Sequence, residues 1–105
     1  MPIIRANTGI VTQINVFTVP DGGQQALIEA LADSAEIARG VPGWISASLH
    51  RSRDGTRVVN YAQSDGPASA RLIVERLREA GCLERHAELG TAHPGLYDVV
   101  VTLER

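Results

Sequence analysis

The chain is poor in cysteine, in aromatic side chains and in net charge, and each shortage removes a class of explanation. Cys82 is the only cysteine, so no intrachain disulfide can form, which fits a reducing, cytoplasmic setting. It follows Gly81 near a helix end and reads as a small buried hydrophobe. The aromatics are one Phe, one Trp and two Tyr. Only Phe17 and Tyr61 can sit on central strands, too few for the stacking surface of an RNA-binding sheet. Ten basic and twelve acidic residues give no electrostatic case for nucleic acid or an anionic membrane. No apolar run approaches the length of a membrane span, and Met1–Arg5 lacks the apolar segment of a signal peptide. No His, Cys or carboxylate spacing resembles a metal site. Gly22-Gly23 precedes a helix but lacks the pattern and the lysine of a phosphate-cradling loop. Neither metal nor cofactor is expected.

What remains, 105 residues that are 44% hydrophobic, is one domain with a core of useful size. Residues 10–19 read as a strand, stopped by Pro20-Asp21-Gly22-Gly23. The stripe Leu27, Ile28, Leu31, Ala35, Ala38 predicts a helix over about 23–39, ended by Gly40, Pro42 and Gly43. Trp44–Ser52 and residues 56–64 are strands joined by a turn at Arg53-Asp54-Gly55. Asp65-Gly66-Pro67 opens a second helix, with Ile73, Leu77 and Ala80 inward and Arg71-Glu75 at i,i+4 outward. Gly81 interrupts before a short helical piece over Leu83–Leu89. His93-Pro94-Gly95 reads as a loop and Leu96–Leu103 as the last strand. The order β-α-β-β-α-β is that of an α+β, ferredoxin-like fold: a four-stranded antiparallel sheet, helices on one face, strands one and three central. Strands one and four are apolar on both sides, which leaves an uncovered apolar sheet face and implies a homodimer packed sheet to sheet.

Two amides stand out. Asn is a poor strand former because its side chain competes for backbone hydrogen bonds, yet Asn60 lies mid-strand in Thr56–Ser64 and Asn15 lies in Ile14-Asn15-Val16. On adjacent central strands they supply two hydrogen-bond donors to one pocket. Alternation puts Val58, Asn60, Ala62 and Ser64 on one side of strand three. The face of His50 depends on the turn. A two-residue Asp54-Gly55 turn sets it opposite Val59, away from Asn60; a three-residue turn with Gly55 as an αL bulge sets it opposite Val58, beside Asn60. The sequence permits both, with the three-residue loop preferred. His86 reads as a surface residue and His93 as a loop residue. Arg71, Arg76 and Arg78 read as a solvated face from which one arginine can reach a pocket mouth.

The chain resembles the antibiotic biosynthesis monooxygenase family. The likeness is carried by Ile14–Val19, Val41-Pro42-Gly43-Trp44, His50 to Asp54-Gly55-Thr56, Val58–Gln63 and Pro94-Gly95-Leu96. It implies a dimeric α/β barrel that oxidises a small aromatic polyketide, anthrone-like, with O2 and no cofactor. It further implies Asn15, Asn60 and His50 as catalytic groups in a pocket lined by Phe17, Trp44, Ala62, Ser64 and Leu77. In anthrone-oxygenating members a tryptophan follows the second amide by four residues; here that position is Ser64, and the only tryptophan, Trp44, begins strand two. Two other functions compete. A small-ligand-binding or regulatory module of the same fold would use the pocket without turnover. A haem-degrading relative would need an axial ligand in the second-helix region, where only His86 lies.

Overall fold

β-Branched residues dominate Val11–Thr18 (β1), and Val58, Val59 and Tyr61 favour extended chain in Arg57–Ser64 (β3); both form strands, with Trp44–Arg51 (β2) and Thr91–Asp98 (β4). Three helices, Gln24–Ala38 (α1), Pro67–Glu79 (α2) and Cys82–Leu89 (α3), complete the computed structural model, which describes residues 1–105. Pro67 occupies the first helical turn of α2, where its missing N–H is no loss. Gly81 takes φ +79° between α2 and α3, a left-handed conformation that breaks the helix in two.

The sheet is antiparallel throughout, in the order β2-β3-β1-β4, with β1 and β3 central as the topology demanded. The fold is the expected α+β ferredoxin-like one. All three helices pack on one face. Phe17 and Val58, cross-strand partners, meet Leu27 and Leu31 of α1, and all four are essentially buried. A second cluster joins Ala38, Val41 and Ile73, with Trp44 and Leu77 at its border. Helix α1 is tied to α3 by Arg85 on Asp33 at 3.1 Å and by a buried Ser34–His86 contact. Truncating Leu27 to Ala should cost about 2–5 kcal/mol, the usual range for a closed core site.

Three expectations are corrected. The β2–β3 connection is wider than either turn considered. Ser52 faces Arg57, donating its N–H to the Arg57 carbonyl at 3.1 Å, and residues 53–56 form the loop. Four loop residues leave the same parity as two, so His50 lies opposite Val59 and not Val58. The loop is held by the Asp54 carboxylate, which accepts from Thr56 Oγ1 (2.7 Å), Thr56 N–H (3.0 Å) and Ser52 Oγ (2.8 Å). Those bonds, the Thr56 hydroxyl first, lower the Asp54 pKa to about 2. From α1, Gln24 Nε2 donates to the Ser52 and Arg57 carbonyls at 3.0 and 2.9 Å, a tertiary lock on the register.

The last strand starts earlier than its apolar run suggests. His93-Pro94-Gly95 is strand, with Pro94 opposite Asn15; proline is tolerated because β4 is an edge. Val99 follows the strand, and Val100, Val101 and Leu103 lie beyond it, 70%, 69% and 92% exposed. They therefore do not make β4 apolar on both sides. The outer sheet face instead carries half-buried Ile14, Val16, Val59 and Tyr61, with Tyr97 52% exposed. The third correction is small: Ala80, expected on the inner face of α2, is exposed, whereas Arg71 and Glu75 face solvent as expected.

Candidate functional site

Side chains alternate along a strand, so residues two away from the core anchors Phe17 and Val58 share their helix-facing side. Those residues are Asn15 and Asn60, and the β1–β3 register sets them directly opposite one another. Both line a cavity of about 520 Å³ bounded by the sheet, α2 and α3, a volume suited to a drug-sized or polycyclic ligand. Phe17, Leu77, Arg78 and His86 share its wall. A smaller chamber of about 50 Å³ adjoins it, sharing Asn60, Leu77 and His86 and reaching Trp44, Ala62 and Ser64. Every residue expected in the pocket is present in one or both cavities except His50.

The two amides have different surroundings. Asn15 Oδ1 accepts the backbone N–H of His93 at 3.1 Å. An amide nitrogen cannot accept that bond, so the oxygen is identified and Nδ2 is left to donate elsewhere. Asn60 Oδ1 is buried and has no hydrogen-bond partner. A buried carbonyl that no protein group, water or ligand bonds costs about 1–3 kcal/mol. Such groups call for a functional explanation. The only other orphan, Thr12 Oγ1, belongs to the opposite face of β1.

His86 was expected at the surface and is only 6% exposed. Its Nε2 lies 2.8 Å from Ser34 Oγ, whose own hydrogen goes to the Ala30 carbonyl at 3.0 Å. With the Ser34 hydrogen on the Ala30 carbonyl, Ser34 accepts from His86, Nε2 carries the ring proton, and Nδ1 is the basic nitrogen. Burial pushes the His86 pKa below its ordinary value; the Ala30 carbonyl opposes this and the Arg85 charge adds to it. The ring stands edge-on to Phe17, centroids 6.0 Å apart. The sequence did carry a signal: Cys82, His86 and Leu89 fall at i, i+4, i+7, the inward stripe of α3.

His50 is exposed on the outer face, opposite Val59, and does not join the amides. His93, on β4, pairs with Val16 and takes the same outer side. Arg78 is the helix arginine that reaches the cavity wall. Trp44 is better placed than its position in the chain suggests. It is the cross-strand partner of Ser64, so an indole stands beside that position from the neighbouring strand. Gly43 allows this approach: at φ +94° it brings the chain so near α2 that a Cβ would collide with the Ser69 side chain.

The sequence profile of the family described as "Antibiotic biosynthesis monooxygenase" matches residues 10–63, the stretch holding both amides. The chain belongs to that family. It is 40% identical over 74 residues to the tetracenomycin-F1 monooxygenase of Streptomyces glaucescens, a match covering 70% of this chain and 66% of that protein, just under two thirds of its length. The monooxygenase from the gene ActVA-Orf6 of Streptomyces coelicolor, solved in complex with nanaomycin D, is 30% identical, with TM-score 0.79 over 93% of each chain. SnoaB of Streptomyces nogalater, a cofactor-independent oxygenase, superposes with TM-score 0.81 over 92% of this chain and 99% of its own. At 24% identity that likeness speaks for the fold. Within this family fold, both amides line the helix-facing cavity, and no group of three His, Cys, Asp or Glu side chains is gathered there or elsewhere.

Proposed function

We propose that the chain is a cofactor-independent monooxygenase that oxidises an electron-rich phenolic, anthrone-like substrate with O2 to a quinone. The observation that carries this reading is the facing pair Asn15 and Asn60 on the wall of a 520 Å³ cavity, one amide oriented by backbone and the other left unpaired. Ground-state O2 is a triplet and reacts slowly with a singlet molecule. A phenolate overcomes this by giving O2 one electron; the radical pair then collapses to a peroxide. In an anthrone the reacting carbon is a CH2 group. One proton leaves to a base, O2 adds at carbon, and loss of water leaves C=O, so CH2 + O2 becomes C=O + H2O. The substrate supplies all the electrons, and the protein's tasks are to bind, deprotonate and stabilise the anion.

Asn15 and Asn60 suit the last task as donors to the developing oxyanion. His86 suits the second. Its neutral ring, with Nε2–H held by Ser34, offers Nδ1 as the proton acceptor in place of the outward-facing His50. Arg78 at the wall favours a substrate that becomes anionic. We also propose that the protein works as a homodimer through the outer sheet face, on the support of Ile14, Val16, Val59, Tyr61 and Tyr97 with no helix above them. An oxygen electrode tests the reaction: with an anthrone and a metal chelator present, one O2 should disappear per quinone formed. Tight ligand binding with no oxygen uptake would instead make the domain a binding module.

A further inference from the structure

Strand β2 breaks the regular alternation of its side chains at its start. Ser46 pairs with Gln63 on the outer side of the sheet and donates its Oγ hydrogen to the Gln63 side chain at 2.8 Å. Trp44, two residues earlier, pairs with Ser64 on the helix-facing side. A bulge at Ile45 shifts the register between them, and bulges re-aim side chains beside functional sites. The turned residue is also pinned. Trp44 N–H donates to the Val41 carbonyl at 3.2 Å, and the Gly43 carbonyl accepts the Asp65 N–H at 2.9 Å, so the loops before β2 and after β3 hold it from both sides. Two spaces meet there. One is the small chamber of about 50 Å³, which runs into the large cavity along Asn60, Leu77 and His86. The other is a groove of about 500 Å³ beneath the N-terminal arm, walled by Ile3, Ile10 and Ile45. Trp44, Ala47 and Gln63 line both spaces, and the indole is the only ring among them.

From this we infer that Trp44 is the end wall of the substrate site, a specificity-determining residue that stops an aromatic substrate just past Asn60. The inference takes its ligand from the monooxygenase reading and adds a limit on that ligand's shape. The two connected cavities run from Ala92 and Pro94 on β4 to Ala47 and Trp44 on β2. An anthrone whose oxygen meets Asn15 and Asn60 therefore lies with its long axis across the strands, one outer ring toward each end. At the β2 end a chamber of about 50 Å³ accepts a group the size of a water, such as a hydroxyl or a methyl. A further ring or a branched chain meets the indole. The substrate class is thus an anthrone-like molecule whose ring on the β2 side is bare or carries one such small group.

Anthraquinones carrying the same group on both outer rings are the probes, because whichever end enters meets the wall. By calorimetry, wild-type protein should bind the dimethyl compound about 10- to 100-fold more tightly than the di-tert-butyl one. Trp44→Ala opens the chamber into the groove beneath the arm, and that preference should then shrink by about tenfold or vanish. Trp44→Leu is the milder variant if Trp44→Ala does not fold. A tryptophan that only supports the fold would weaken both ligands alike on removal and leave their ratio unmoved. Equal affinities in the wild type, an unmoved ratio in a folded variant, or no binding of either quinone overturns the inference. The matching anthrones separate it from the reading it builds on. A ratio that shifts as expected, in protein that consumes no oxygen with any anthrone, keeps the wall and sinks the monooxygenase.

Discussion

Replacing Asn60 separates catalysis from stability more sharply than any other change in this protein. Most buried polar residues cannot be removed without stranding a partner, but Asn60 Oδ1 has none. Asn60→Leu, close in shape and wholly apolar, relieves a desolvation cost of about 1–3 kcal/mol. Imperfect packing of the new methyl groups beside the cavities offsets about 1 kcal/mol of that. The net expectation is a protein between unchanged and about 2 kcal/mol more stable, with a melting temperature that holds or rises by several degrees, at about 4 °C per kcal/mol. Turnover behaves oppositely: loss of one preorganised oxyanion donor lowers kcat by about 10²-fold, or about 3 kcal/mol. Asn15→Ala is the control, because Asn15 Oδ1 does have a partner, the His93 N–H on the edge strand. That variant should lose about 0.5–1.5 kcal/mol of stability along with activity. Calorimetry and oxygen consumption on the same preparations decide the matter. An Asn60→Leu protein that melts several degrees lower, yet turns over at the wild-type rate per folded molecule, refutes the reasoning.

Other perturbations follow from the same structure. His86→Gln keeps a donor toward Ser34 but removes the basic nitrogen, so kcat should fall about 10²- to 10⁴-fold while ligand affinity changes little. Because the folded state holds the His86 pKa below 6.5, the unfolded chain binds the proton more readily. Neutral His86 thus stabilises fully above pH 6.5, and that contribution is lost as pH falls through the depressed value. Melting curves at descending pH should show this slope in wild type and its reduction in His86→Gln; parallel curves would contradict it. The fully exposed Asp54, with its pKa lowered to about 2, stabilises the β2–β3 loop above pH 3.8 and ceases to as pH falls through about 2. Asp54→Ala should lower the melting temperature at pH 7 and lessen the acid sensitivity in that window. Light scattering at micromolar concentration should report about twice 11.2 kDa, and Val16→Asp on the outer face should halve it; a wild-type monomer would remove the sheet-to-sheet pairing.

The sequence by itself determined the element order, the central position of β1 and β3, and the placing of the two mid-strand amides on adjacent strands. Each of these follows from local chemistry. β-Branched runs form strands, glycines at positive φ end helices, and right-handed crossovers leave one sheet order for β-α-β-β-α-β. Once β1 and β3 were neighbours, Asn15 and Asn60, each two residues from a core anchor, shared a face by strand periodicity alone. The face of His50 was decided only in the folded molecule. Asp54-Gly55 satisfies more than one hairpin loop, and Gln24, reaching across from α1 to the Ser52 and Arg57 carbonyls, fixed the register that points His50 outward. The start of β4 was likewise beyond local rules. Propensity favours Val99–Leu103 over Thr91-Ala92-His93-Pro94, yet β1 pairs with the latter because α3 ends at Leu89, against the core, and delivers the chain to that edge at Thr91. His86 shows the division most clearly. Its spacing with Cys82 and Leu89 turns it inward, but its role depends on Ser34, 52 residues earlier, and a proton's place on one ring nitrogen is set by a contact that only tertiary packing creates.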